Sequence, residues 1–356
     1  MAMKSYRTYR GRTPRWKKVL TAVLLLILAG ALAFLLLQRY QVFDSNGPHF
    51  QLPFFSEREN DTSGSENEDD YDEDLIINIV DDPNQQPEQD PNAADDTEEL
   101  TQKAEAQLLH GRAVAAAAAQ QGDFSALREG ECPVITLKAP NEALILDHAG
   151  TAEALTAQLK DRDAVVRLAC YADSDKAKHN EKMALMSVKG RAWGDPGGKS
   201  YLNPYQADVT AYLRDMVQRS AALGVSEVLL DSVTFPTVGR LGNITFGGQT
   251  DTPETRIAAI NGFLDQMREA LGDQTLLSVS LPVSLLQNPV DGVAGLDLKA
   301  IVQRVDRVYM RVEDQAQADA ARASFAALCP DVDSESAFVA VVSQPVTGGS
   351  YMLING

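Results

Sequence analysis

The hydrophobic pattern divides the chain into three unlike stretches. Residues 19–37, VLTAVLLLILAGALAFLLL, are one apolar run without a charge. Residues 38–105 show no apolar periodicity, apart from the island LIINIV at 75–80. Beyond them, short apolar runs recur: PVITLK (133–138), AVVRLACY (164–171), EVLLDSV (227–233), TLLSVSL (275–281), RVYMRV (307–312) and AFVAVVS (337–343). None alternates cleanly between apolar and polar. That is the texture of parallel strands covered on both faces, where neither side of the strand meets water.

Helical spacing fills the gaps. In ADVTAYLRDMVQRSAALG, Val209, Leu213, Met216 and Ser220 fall on one face, and Gly224 suits a C-terminal stop. In DTPETRIAAINGFLDQMREALG, Thr252 is placed to cap the helix, with Pro253 at its first turn. Ile257, Ile260, Leu264, Met267 and Leu271 then make the buried stripe. Alternating strands and helices predict an α/β fold with a parallel sheet, either a doubly wound sheet or a TIM-type (β/α)8 barrel. A barrel here is irregular at both ends. GRAVAAAAAQQ (111–121) reads as helix on alanine propensity, yet a barrel asks for a first strand near 112–118. After the last run only TGGSYMLING remains, enough for a short eighth strand without its helix.

Charge sharpens the division. Of the net charge of −18, residues 1–55 contribute eight basic residues against one acid, while residues 56–99 hold 18 acids and one arginine. Such an acidic, apolar-poor segment cannot offset its own ordering entropy and is expected to be a disordered, self-repelling linker. Seven basic residues precede the apolar run and only Arg39 follows it closely. The run is long enough to span a bilayer, and the bias places the N-terminus in the cytoplasm. The expected organisation is a cytoplasmic basic segment (1–18), a transmembrane helix (19–37), a disordered acidic linker (38–105) and an extracytoplasmic barrel domain (106–356).

Several function classes drop out. The domain carries no basic patch to serve as a nucleic-acid footprint. GDPGGKS (194–200) lacks phosphate-loop spacing and follows no strand. His49, His110, His148 and His179 show no metal-ligand spacing, so neither a metal nor another cofactor is expected. Cys132, Cys170 and Cys329 read as buried small apolar residues, with Cys132 and Cys170 at opposite ends of neighbouring strands.

In a barrel, chemistry sits at the C-terminal ends of the strands. The polar residues there include Lys138, Arg167, Asp173, Asp231, Tyr309, Arg311 and Glu313. A single long connection, 173–203, offers Trp193, Tyr201 and Tyr205 either as sugar-stacking rings or as a plug for the barrel mouth.

Five segments, in order, resemble those of the bacterial putative glycosyl hydrolase domain family. LGVSEVLLDSVTFPT is similar to that family's DYVRFP-type strand, and VVRLACYADSDKAKHN, RAWGDPGGKSYLNPYQADVTAYL, VITLKAP and VDRVYMRVED to its neighbours. The resemblance implies an extracytoplasmic barrel related to glycoside hydrolases, with carbohydrate or cell-wall glycan as partner. The motif is degenerate: Thr234 replaces the family's arginine, and Thr136, Ala139 and Pro140 replace acids around Lys138. Asp231, Arg167 and Asp173 match. Glycoside hydrolysis ordinarily requires two carboxyl groups. Asp231 is the expected first, with Glu313 and then Asp173 as second. Lys138, Arg167, Trp193, Tyr205 and Tyr309 are expected to bind substrate. The alternative is a barrel that has lost its acid pair and binds glycan or scaffolds wall assembly.

Overall fold

The computed structural model describes residues 41–44, 47–50 and 104–354. The expected transmembrane helix, 19–37, and most of the acidic linker lie outside the described residues. Among those described, no helix is long and apolar enough to cross a membrane. The chain divides into two compact units, Met1–Pro91 and Asn92–Gly356. In the first, Gln41–Asp44 and Gly47–Phe50 pair as antiparallel strands within the stretch read as linker.

The second unit is a closed barrel of eight strands, each hydrogen-bonded in parallel to its neighbours in chain order. They are β1 (His110–Val114), β2 (Cys132–Lys138), β3 (Val165–Ala169), β4 (Glu227–Asp231), β5 (Leu276–Leu281), β6 (Arg307–Arg311), β7 (Phe338–Val342) and β8 (Tyr351–Leu353). The helices are α1 (Ala116–Gln120), α2 (Thr151–Leu159), α3 (Ser174–His179), α4 (Ala207–Ala221), α5 (Pro253–Leu271), α6 (Leu298–Val302), α7 (Gln315–Leu328) and α8 (Ser334–Ala337). The ambiguous stretch 111–121 contains both candidates: β1 occupies its start and the alanine run forms α1.

Two apolar clusters explain the missing alternation. Val165, Leu229, Tyr309, Val339 and Met352 pack inside the barrel with Val134 and Leu109. Their strand neighbours Val166, Leu168, Val228, Leu230, Val308, Met310 and Phe338 point the other way, into the layer under the helices. Both faces are dry, so both carry apolar residues. Helix α4 buries Val209, Leu213, Met216 and Ser220, the predicted stripe. Helix α5 buries Ile260, Leu264, Met267 and Leu271 of the predicted stripe, leaves Ile257 half-buried, adds Phe263, and is capped by a reciprocal pair of bonds between Thr252 and Thr255.

Polar groups close the floor of the barrel. Glu227, fully buried, is ion-paired with Arg307 and accepts a hydrogen bond from the Tyr309 hydroxyl at 2.6 Å. Arg307 also donates to the carbonyls of Gln107 and, at 3.1 Å, Ser336. Residues 104–109 thereby run as a strap under the floor, tied also by Ala104 N–H to the Asp273 carbonyl at 2.8 Å. No helix separates β7 from β8. The returning chain packs Gly349 directly against the Arg322 side chain, where any β-carbon would lie 2.5 Å from Nε.

Candidate functional site

Asp231 is the last residue of β4, and register decides where it points. Leu229, two residues earlier, is in the barrel interior, while Val228 and Leu230 face outward. Alternation therefore turns Glu227, Leu229 and Asp231 inward, the first at the floor and the last at the rim. The strand stops because the next residue, Ser232, adopts a left-handed backbone at φ 57°. That conformation is costly for a residue with a side chain and recurs at functional sites. It lets the Ser232 N–H donate to Asp231 Oδ1 at 2.7 Å. Asp231 Oδ2 is ion-paired with Arg167, which rises from the middle of β3.

Asp231 lines a cleft of about 470 Å³ between the loops that follow β4 and β5. Ser232, Thr234 and Thr237 come from the first loop, and Ser280, Ser284 and Asp291 from β5 and the second. Asp291 is thus a second carboxylate facing the same space. A two-residue hairpin, Val290–Asp291 with Leu296–Asp297, holds it, and its Oδ1 accepts the N–H groups of Val293 and Ala294, each at 3.0 Å. The two loops are fastened together: the Phe235 N–H and the Thr234 hydroxyl both donate to the Ala294 carbonyl, at 2.9 and 3.1 Å. Sequence reasoning missed Asp291 because it lies ten residues beyond its strand. The Asp-Gly pair at 291–292 is a turn signal and does not by itself single out the acid.

The other expected site residues are distributed differently. Lys138 and Asp173 form an ion pair at 2.9 Å, with side chains 1% and 0% exposed. Asp173 also caps α3 through the Lys176 N–H at 2.9 Å and accepts from the Tyr212 hydroxyl at 3.2 Å. It is therefore a buried structural acid and not a solvent-facing one, and Lys138 is its counter-ion. Burial beside this carboxylate pushes the Tyr212 phenol well above its ordinary value. Glu313 is exposed after β6, and its carboxylate accepts from the Gln317 side chain at 3.1 Å. It is not among the residues lining the Asp231 cleft.

Trp193 is 4% exposed, donates from Nε1 to the Arg240 carbonyl at 3.2 Å and lies 5.8 Å from the Tyr201 ring. Tyr205 packs at 5.1 Å on Phe235 and 5.3 Å on Phe246, and its hydroxyl bonds to Asp251 at 3.0 Å. Burial is the main reason its phenol is pushed up to about 12. Trp193 and Tyr201 are buried and Tyr205 is half-buried, and all three pack against the loops around them. Tyr309 is wholly buried in the barrel and serves the floor carboxylate Glu227. Arg167 alone of the five expected binding residues lies against Asp231. Among the described residues no group of three or more His, Cys, Asp or Glu is set to hold a metal ion.

Residues 138–311 match the family model described as putative glycosyl hydrolase domain. No match was found among curated proteins. Among solved structures, a hypothetical protein from Ruminiclostridium thermocellum ATCC 27405 aligns at 20% identity and TM-score 0.39, over 47% of this chain and 95% of its own. Aspergillus fumigatus Ega3, solved in complex with galactosamine, aligns at 12% identity and TM-score 0.39, over 68% and 79%. The α-galactosidase TtGalA of Thermus thermophilus aligns at 16% identity and TM-score 0.36, over 58% of this chain but only 42% of the enzyme. Each is a likeness of fold alone.

Proposed function

Starting from the match of residues 138–311 to the family model described as putative glycosyl hydrolase domain, we propose that the protein is a membrane-anchored, extracytoplasmic glycoside-hydrolase-like protein. Its anchor is residues 19–37, and its barrel acts on cell-surface or environmental polysaccharide. One observation carries the reading: two carboxylates from different loops, Asp231 and Asp291, line one cleft at the C-terminal rim of a parallel barrel. In this reading Asp291 takes the role expected of Glu313. Arg167 keeps Asp231 oriented across the mouth, and the serines and threonines of both loops supply hydroxyls for sugar contacts.

A second reading has its own support. Both Asp231 oxygens are already engaged, one by Arg167 and one by the Ser232 N–H. A carboxylate so occupied suits a barrel that binds glycan without cleaving it. Incubating the full chain with a panel of bacterial polysaccharides separates the two. Hydrolysis that is abolished by Asp231→Asn and by Asp291→Asn, with glycan retention kept, establishes the enzyme. Retention without any release of reducing ends establishes the binding protein. Absence of both refutes the glycan reading.

A further inference from the structure

Arg311 is the last residue of β6. It follows Tyr309 by two positions and so faces the barrel axis at the rim. Among the described residues its guanidinium makes no hydrogen bond and no ion pair, and the residue is exposed. Together with Arg167 it lines a cavity of about 160 Å³ whose lining also includes Ser280 and the apolar Val341, Met352 and Ile354. Ser280 also lines the Asp231 cleft, so the two spaces share a wall.

The charges do not balance there. Asp231 neutralises Arg167. Nothing neutralises Arg311, although the folded part of the chain is acidic overall. A guanidinium beside an apolar wall is well matched by a planar anion, which it can hold through two parallel N–H···O bonds. A sugar ring seated over the pair would exclude water from it and strengthen that attraction. The apolar wall suits the less polar face of a sugar ring.

Building on the glycan reading above, we propose that this cavity is an acidic-sugar subsite: Arg311 binds the carboxylate of a uronic-acid-type residue next to the residue lying at Asp231. The substrate or ligand is then an anionic glycan, recognised by charge and ring together.

The test uses the full chain in detergent and two probes of equal length, a galacturonic acid trimer and its methyl ester. They share every ring atom and differ in charge. Titration calorimetry should show the acid bound about tenfold more tightly or better, the factor expected of a charge-assisted pair. In Arg311→Gln the ratio should fall to about one, and in Arg311→Lys it should lie between. Unchanged thermal midpoints show that the variants fold. Equal binding of acid and ester by the parent overturns this inference and leaves the glycan reading intact. Failure of both trimers to bind also overturns this inference, while the glycan reading is decided by the polysaccharide panel. A glutamate trimer bound as tightly as the sugar acid also overturns it, because charge alone would then account for the binding.

Discussion

Replacing Arg307 by Met tests the floor of the barrel. The guanidinium is 5% exposed and the carboxylate of Glu227 1% exposed, so the pair sits almost entirely out of water. Met keeps most of the side-chain length and removes the charge. Glu227 is then left with one donor, the Tyr309 hydroxyl, and the Gln107 and Ser336 carbonyls each lose a donor. Breaking a buried pair from one side typically costs about 3–5 kcal/mol, because the surviving charge stays desolvated. For a domain of this size each kcal/mol moves the thermal midpoint by roughly 2–4 °C, which gives a fall of about 6–20 °C. The double variant Glu227→Leu with Arg307→Met removes both charges. Its midpoint should recover to within a few degrees of the parent, since apolar replacement of a whole buried pair is often neutral. Differential scanning calorimetry on the parent, both single variants and the double variant completes a thermodynamic cycle. A loss below about 1 kcal/mol in Arg307→Met, or a double variant as unstable as the sum of the singles, would refute the claim that burial of unpaired charge governs this site.

Three further outcomes are expected. Gly349→Ala places a methyl group 2.5 Å from Arg322 Nε at φ 132°, and should cost about 1–3 kcal/mol in urea unfolding. Gly130→Ala, with nothing within 4 Å, should cost less, and the reverse order would contradict the packing. Hydrogen bonding to Arg112 holds the Glu131 carboxyl below its ordinary 4.5, so its stabilisation is present above that pH and lost as pH falls through the lower folded value. Glu131→Gln should therefore be less stable at neutral pH, with the gap in urea midpoints closing on acidification. A gap that widens instead would show the sign to be wrong. Protease added to intact cells should release the barrel, as the charge bias around residues 19–37 requires. A fully protected domain would reverse the orientation.

The elements of this protein were legible because each depends on near neighbours. The runs at 133–138, 227–233 and 307–312 had to be strands, since their apolar residues on both faces leave no polar stripe for a surface helix. Thr252 and Pro253 set the start of α5 through bonds that span three residues. The stretch 111–121 was ambiguous on the same grounds: Gly111 to Val114 form a strand only because β8 and β2 lie on either side, and propensity cannot sense them. Asp231 at the rim could be read from its place after three apolar residues. Its partner Arg167 is 64 residues away, and Arg307 is 80 from Glu227. Those pairs exist because closing the barrel sets their strands side by side. The same closure enclosed Asp173 with Lys138, turned Trp193 inward, and brought Asp291 to the cleft. A charged residue's sequence neighbours state which element it belongs to. Whether its carboxylate meets water, a cation or a substrate depends on desolvation and on partners from distant strands, and only the tertiary structure supplies those.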